Sequence, residues 1–456
     1  MAFDAKPTAI RENASALELE VKRLALLAAR YRAVRQQSLS LCEPLETEDF
    51  GVQPMADASP PKWHLAHTSW FFETFLLIDL QPDYQEFHPA YAELFNSYYN
   101  GVGQPFPRLR RGTLSRPTLS EVLNYRRVVD DATETLLEQV QKNPQSIHLS
   151  RLNTVLEIGL EHEQQHQELL LTDVKYNFGH NPLAPAYCAH TALTQSEGAS
   201  ALSFDTHEPG LVWMGAKPQE FAFDNERPRH EVFLRPFQVA NRTVSNGEFL
   251  AFIEDNGYER PELWLAEAWQ RLQDGTLAKQ PLYWRQQPDG WYEYRLDGLY
   301  RLDKARPVVH VSAFEAMAYA AWANARLLTE AEWEWAAGVH QSRGNFVESE
   351  QFHPVSSETP QFFGNVWEWT SSSYAPYPGY QPLTGVLGEY NGKFMSSQLV
   401  LRGGSCVTPK EHIRASYRNF FYPADRWHFS GIRLARDGEE GSWRMNAKWY
   451  FTIRVL

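Results

Sequence analysis

Two pairs of histidines in the first 170 residues have the spacing of metal ligands. His162 and His166 are the first and last residues of the segment HEQQH, and His64 and His67 lie three residues apart upstream. On a helix, residues four apart share one face, with about 5–6 Å between their Cβ atoms. Imidazoles from two helices can converge on one ion, and zinc, iron, copper and nickel all accept them. The pattern predicts a site built from His162, His166 and an upstream histidine, and it leaves the metal open.

The same segment also matches the H-E-x-x-H pattern of zinc proteases, in which the glutamate is the general base. The extended form of that pattern requires glycine at position 169 and histidine at position 172. This chain has Leu169 and Thr172 there. Such proteases also need no histidine from an upstream helix. We therefore expect the segment to mark a metal site that is not a protease centre.

Apolar residues recur with helical spacing in four long segments of the first half of the chain. Thr118 and Glu121 have the spacing of a capping box, and Ser59 is positioned to cap the helix that Pro60 and Pro61 open. Four long helices in succession are typical of an antiparallel bundle. The predicted helices cover residues 14–37, 59–80, 118–142 and 150–178.

The composition of the sequence changes after residue 181: Gly, Pro and Trp become frequent, and helical periodicity is mostly lost. Short helices are predicted at 245–255 and 312–324, within an otherwise irregular α+β domain. We predict a helical bundle over 10–185 that carries the metal site, a second domain over 195–437, and a tail over 438–456 whose role the sequence does not define.

Composition narrows the function classes. The 456 residues are 43% hydrophobic and 22% charged, which is typical of a globular chain. The net charge of −13 argues against a nucleic-acid partner, and no apolar run approaches the ~18 residues of a membrane span. Three scattered cysteines and a start without an apolar core predict a cytoplasmic protein. The sequence allows a homo-oligomer without specifying one.

Several long motifs, in order, resemble a known family. The first half contains KWHLAHTSWFFE (62–73), FNSYYN (95–100) and EHEQQHQELLLTD (161–173). These resemble the DinB-like helical bundle of the sulfoxide synthases of ergothioneine biosynthesis. GNVWEWT (364–370), VLRGGS (400–405) and FSGIRLAR (429–436) resemble their formylglycine-generating-enzyme domain, a C-type-lectin-like fold. The resemblance implies an α+β protein in which a DinB-like four-helix bundle precedes a lectin-like domain.

The resemblance also implies an activity and a cofactor. Enzymes of this family use mononuclear non-haem iron(II) and O2 to join a thiol sulfur to the imidazole of hercynine (N-α-trimethylhistidine), which gives a sulfoxide. By motif, the iron ligands are His67, His162 and His166. His64 then supports the site without binding the metal.

Further site residues follow from the resemblance. Tyr98 and Tyr99 are the proton donors expected in the branch of the family that uses free cysteine. Gln165 is a hydrogen-bond donor to hercynine. Asn419 holds the hercynine carboxylate, and Phe420 packs against its trimethylammonium group, which aromatic faces attract.

The thiol donor is predicted from one departure. Relatives that take γ-glutamylcysteine carry an acidic residue where this chain has Phe421, so no charge stands at that position to bind the glutamyl amine. We therefore predict free cysteine as the donor, with its carboxylate bound by Arg108 and Arg111.

Alternatives remain on the same scaffold. A selenoneine synthase would use a selenium donor, and an ovothiol-type synthase would act on unmethylated histidine. A dual-specificity homologue would accept both hercynine and histidine. A sulfatase-modifying enzyme is disfavoured, because it needs two active cysteines in the last third of the chain and only Cys406 lies there. The alternative of a different class is a non-catalytic lectin-like binding protein.

Overall fold

The computed structural model describes residues 6–145, 147–189, 199–338, 340, 343–356 and 360–438. The tail predicted over 438–456 lies outside the described residues from position 439 onward. The domain limits at 185 and 195 stay a prediction.

Helices form the first half of the chain. A π-helical turn, Glu73–Leu77, joins the second helix to the third and extends it toward the predicted length. The four long helices expected from the apolar spacing are present. The helices are α1 (Lys6–Ser40), α2 (Pro61–Phe72), α3 (Ile78–Leu80), α4 (Tyr91–Leu94), α5 (Leu119–Lys142) and α6 (Leu149–His180).

The ends of two of these helices test the capping predictions. The predicted box of Thr118 and Glu121 opens α5, with both reciprocal bonds formed. The predicted cap by Ser59 is wrong, because Pro60 occupies the cap position of α2 and no side chain caps it. The Ser59 hydroxyl instead accepts a hydrogen bond from Arg111 at 2.9 Å.

The bundle core places α2 between α5 and α6, with α1 against α6. Phe72 packs so closely on α6 that a Cβ atom at position 159 would lie 2.5 Å from its ring, so only glycine fits there. A buried ion cluster joins three helices, since Glu163 accepts from Arg35 at 3.0 Å and from Arg126 at 2.5 Å. Burial opposes ionisation, but Arg126 and Arg35 hold the pKa of Glu163 at about 2.

Short strands in small sheets form the second domain. The strands are β1 (Phe204–His207), β2 (Gly210–Met214), β3 (His230–Leu234), β4 (Phe237–Ala240), β5 (Trp284–Gln287), β6 (Gly290–Arg295), β7 (Gly298–Arg301), β8 (Arg326–Leu327), β9 (Trp367–Ser373), β10 (Leu399–Arg402), β11 (Asn419–Phe421), β12 (Ser430–Gly431) and β13 (Leu434–Asp437). One sheet has the order β1-β4-β13-β8, a second has the order β11-β10-β9-β12, and two further sheets are β2-β3 and β5-β6-β7.

Four helices accompany these sheets: α7 (Asn246–Glu254), α8 (Ala266–Gln273), α9 (Ala313–Trp322) and α10 (Glu330–Ala337). The predicted short helices correspond to α7 and α9. Helices α8 and α10 were missed, because each has only eight residues, about two turns, and so short a segment is difficult to assign from its sequence.

The two domains meet along α6. Its Glu168 accepts hydrogen bonds from the Trp367 indole at 2.5 Å and from the Thr408 hydroxyl at 2.6 Å. The aromatic residues of GNVWEWT therefore do more than fill a core, since one of them ties the lectin-like domain to the helix that carries His162 and His166. Through this contact, the sheet containing β9, β10 and β11 lies next to the part of α6 that carries the predicted metal ligands.

Candidate metal centre and substrate cavity

Three histidines from two helices meet at the centre of the bundle. His67 of α2 and His162 and His166 of α6 each offer a ring nitrogen, and these nitrogens all lie within 4.8 Å of one another. The Nε2 atoms of His67 and His162 are 3.1 Å apart. Two nitrogens bound at about 2.1 Å to one ion, at an angle of about 95°, have that separation. The spacing therefore suits two ligands of a single metal ion.

The protonation of these rings also suits a metal. His67 donates from Nδ1 to the carbonyl of Phe95 at 2.5 Å, which leaves Nε2 with its lone pair. Burial lowers the pKa of His67 and His166 well below the usual value and that of His162 to about 3, so the rings stay neutral. The buried Nδ1 of His162 has no hydrogen-bond partner. Neutral imidazole is the form that binds iron, zinc or copper.

His64 does not join this set. Its Nδ1 lies 2.8 Å from Nδ1 of His166, and its Nε2 lies 3.0 Å from the Asp173 carboxylate. Of the two upstream histidines, His67 therefore belongs to the centre, and His64 contacts His166 instead.

A cavity of about 450 Å³ opens beside the histidines, between the bundle and the lectin-like domain. Such a volume is within the range of small-molecule sites. Of the predicted site residues, His67 and Tyr99 stand behind the wall. The others line it: Tyr98, Arg108, Arg111, His162, Gln165, His166, Asn419, Phe420 and Phe421.

The two tyrosines are stacked, with ring centroids 4.6 Å apart. Tyr98 lines the cavity, whereas Tyr99 is fully buried behind it. Burial raises the pKa of both phenols above the usual value of 10. Both therefore keep their protons at neutral pH.

A directional hydrogen-bond chain orients Gln165. Its Nε2 donates to the Tyr417 hydroxyl at 2.6 Å, and its Oε1 accepts from Tyr390. Tyr417 lies 2.9 Å from Nε2 of His412, whose Nδ1 lies 2.7 Å from Glu161. With its amide oxygen and nitrogen distinguished in this way, Gln165 keeps one N–H proton available to the cavity.

Strand β11 supplies the opposite wall. Asn419 accepts from the Phe420 backbone N–H at 2.9 Å through Oδ1, which leaves its amide N–H groups available. Phe420 stacks on Tyr374 at 4.0 Å. The ring of Phe421 stacks on His428 at 4.0 Å, so this position is apolar wall.

Arg111 is a buried cation that forms no ion pair with any described residue. Only 3% of it is exposed, and its guanidinium lies 3.4 Å from the Trp63 ring centroid and donates to Ser59 and Ser97. Within the described part of the chain its Nε has no hydrogen-bond partner, and burial followed by the charge of Arg108 lowers its pKa well below the usual value, against the opposing charge of Asp173. A buried cation outside an ion pair is costly, so this end of the cavity suits an anionic group.

Sequence reasoning missed several cavity residues. Asp57 and Asp425 bring carboxyl groups to the wall, and burial raises the pKa of Asp425 to about 7, so this group is only partly ionised at neutral pH. Tyr390 and Tyr417 were also missed, as was the contact between His64 and His166. Glu168 and Asp173 also line the cavity, and both could have been found from sequence, since they belong to the HEQQH-containing motif on the same helix.

Known proteins share both halves of this chain. The DinB superfamily model matches residues 30–170, and the sulfatase-modifying factor enzyme 1-like domain model matches 204–363 and 359–438. Within the described residues, no helix combines the length and apolarity that crossing a membrane requires. The predicted fold, a DinB-like bundle followed by a domain of this second type, is confirmed.

Curated relatives extend over both domains. The hercynine oxygenase of Mycobacterium tuberculosis is 31% identical over 414 residues, which cover 83% of this chain and 91% of that protein. The hercynine oxygenase of Mycolicibacterium smegmatis is 29% identical, covering 90% and 98%. Ergothioneine biosynthesis protein 1 of Schizosaccharomyces pombe is 27% identical over 48% of this chain and 28% of that protein. With both domains matched in order and a relative above 30% identity aligned along most of its length, the chain belongs to the hercynine oxygenase family.

Proposed function

We propose that this chain is an iron(II)-dependent sulfoxide synthase that joins the sulfur of cysteine to the imidazole ring of hercynine. The observation that carries the proposal is the three-histidine centre at the wall of a cavity closed by both domains. The names of the hercynine oxygenase relatives indicate the imidazole substrate and the use of oxygen.

The reaction balances with O2 as the only oxidant. One C–H bond of the imidazole and the S–H bond of cysteine are broken, and one C–S bond and one S=O bond form. One oxygen atom ends on sulfur, and the other leaves as water with the two hydrogens. Four electrons pass from the two substrates to O2.

The proposed ligands are His67, His162 and His166. Bound iron(II) would supply O2 activation and open coordination positions for the substrates. Three ligands of neutral charge keep the positive charge of the ion, which favours binding of sulfur as thiolate.

The chain's own groups would hold hercynine. Gln165, with its amide orientation determined by Tyr417 and Tyr390, can donate its remaining N–H to the substrate imidazole. The free amide protons of Asn419 suit the carboxylate, and the ring of Phe420 suits the trimethylammonium group. Holding the imidazole in this way orients its carbon toward sulfur, which favours C–S bond formation over simple thiol oxidation.

The thiol donor would be recognised as a zwitterion. Arg111 supplies a buried guanidinium, and Arg108 lines the same cavity. Asp57 and Asp425 provide carboxylates for an α-ammonium group. Free cysteine carries both charges on one carbon, so its recognition needs no charge at Phe421.

Tyr98 would donate the proton. Its phenol lines the cavity and remains protonated at neutral pH. Tyr99, stacked behind it, can orient that ring. Proton donation to reduced oxygen at the right moment would separate sulfoxide formation from sulfinic acid formation.

A substrate screen tests the proposal. Protein loaded anaerobically with Fe(II) would receive O2 and hercynine or histidine, paired with cysteine, γ-glutamylcysteine or a selenosugar, with detection by mass spectrometry. We expect hercynylcysteine sulfoxide from hercynine and cysteine. A selenium adduct alone would indicate a selenoneine synthase, a histidine product alone an ovothiol-type synthase, and no adduct with any pair the binding-protein alternative.

A further inference from the structure

We propose that His64 and Asp173 are positioning residues that determine which ring nitrogen of His166 faces the metal. The inference rests on the proposed metal centre and assigns a role to two residues that do not themselves bind the ion. It is carried by a continuous chain of polar contacts from α2 to α6.

The chain begins at a buried carboxylate. Asp173 is 4% exposed and lies on α6, two turns beyond His166. Its Oδ2 accepts from the backbone N–H of Ser59 at 2.7 Å and lies 3.0 Å from Nε2 of His64. A carboxylate has no proton to donate, so the hydrogen bond between Asp173 and His64 places the proton on Nε2 of the ring.

The position of the proton on the His64 ring determines the position of the proton on His166. With its single proton on Nε2, His64 presents the lone pair of Nδ1, and this atom lies 2.8 Å from Nδ1 of His166. A hydrogen bond of that length requires one donor, so Nδ1 of His166 carries the proton. The lone pair of His166 is then on Nε2, which becomes the metal-facing nitrogen.

Burial makes this arrangement selective. His64 is only 3% exposed where it meets the cavity, and the carboxylate of Asp173 lies 3.0 Å from its Nε2. Ser59 anchors the carboxylate from the start of α2, and its hydroxyl is held in turn by Arg111 at 2.9 Å. The tautomer of His166 is thus determined by groups on both ligand-bearing helices. Partners that orient a ligand in this way typically contribute 10–100-fold to metal affinity.

The first test uses the metal alone. Fe(II) affinity would be measured anaerobically by competition with a chelator, and the Co(II) absorption spectrum would report ligand geometry. His64→Leu removes the acceptor for Nδ1 of His166, and we expect Fe(II) affinity to fall about 10–100-fold with a changed Co(II) spectrum. His64→Gln can accept from His166 and donate to Asp173 through one amide, so it should recover most of the affinity.

His428→Leu is the matched control. His428 is also buried in the wall of the cavity, but among the described residues neither of its ring nitrogens has a hydrogen-bond partner. Its replacement should leave metal affinity unchanged. Wild-type affinity in His64→Leu, or a folded His64→Gln variant as weak as His64→Leu, would overturn the proposal.

A measurement on the unmodified chain avoids any folding defect. In Zn(II)-loaded protein with ¹⁵N-labelled histidine, the Nδ1 of His166 should show the chemical shift of a protonated nitrogen. A proton on Nε2 would refute the inference directly. His166→Ala tests the proposed ligand set separately from the role of His64 and Asp173. If this variant keeps full metal affinity, the proposed ligand set itself is wrong.

Discussion

Replacing Arg111 by methionine should weaken recognition of the thiol donor without weakening the fold. The substitution keeps an apolar stem of similar length against Trp63, whose ring centroid lies 3.4 Å from the guanidinium. It removes the cation that we expect to bind the cysteine carboxylate. Function and stability should therefore respond differently to one change.

The magnitude follows from the burial of the side chain. A hydrogen bond to a charged group contributes about 1.5–3 kcal/mol, so loss of the contact should raise KM for cysteine about 10- to 150-fold. The free energy of unfolding should change by no more than ~1 kcal/mol. Relief of the desolvation cost offsets the lost bonds to Ser59 and Ser97.

The assay is steady-state formation of the sulfoxide with cysteine varied at saturating hercynine, and then the reverse, beside thermal unfolding of the substrate-free protein. Arg110→Met is the matched control, since Arg110 belongs to the same loop, is exposed and does not line the cavity. Its KM for cysteine should equal that of the unmodified chain.

Two results would refute the reasoning. An unchanged KM for cysteine would remove Arg111 from the thiol site. A raised KM for hercynine alone would place the hercynine carboxylate, and not that of cysteine, at this end of the cavity.

Three further predictions concern other residues. Tyr98→Phe should shift products from sulfoxide toward cysteine sulfinic acid, and an unchanged product ratio in both Tyr98→Phe and Tyr99→Phe would exclude the tyrosines from the mechanism. Phe421→Asp should increase the use of γ-glutamylcysteine relative to cysteine; Phe421→Asn, without the charge, should not, and equal gains in both would contradict a charge effect. Glu163 has a folded-state pKa of about 2 against its ordinary 4.5, so its ionisation stabilises the fold above pH 4.5, and about 3 kcal/mol is lost as pH falls from 4.5 to 2. Denaturant unfolding across that range should show this loss in the unmodified chain and not in Glu163→Gln; the same slope in both would assign it to other carboxyl groups.

Local patterns in the sequence were enough for the helical half of the molecule. Helix α5 begins with the predicted capping box of Thr118 and Glu121 because that signal involves only neighbouring residues. The pairing of His162 with His166 is likewise a consequence of helical periodicity. Ser59 shows the limit of such reasoning, since Pro60 takes the cap position and the serine hydroxyl binds Arg111, 52 residues away along the chain.

The lectin-like half was harder to predict in detail. Helices α8 and α10 have eight residues each, and many of the strands have four or fewer. Elements of that length are stabilised by contacts with distant strands more than by their own residues, so the sequence of each element alone predicts it poorly. The order β11-β10-β9-β12 arises from such distant pairings.

The composition of the cavity depended on tertiary structure. Tyr390, Tyr417, Asp57 and Asp425 come from separate loops, and no local spacing connects them to the histidines. The sequence determined which residue types could bind a metal and which helices carry them. The packing of α2 against α6, and of the lectin-like domain over both, decided that His67 meets His162 and His166 at one point while His64 contacts Nδ1 of His166. That distinction could not be read from two histidines three residues apart, because it depends on which neighbouring side chain each ring meets.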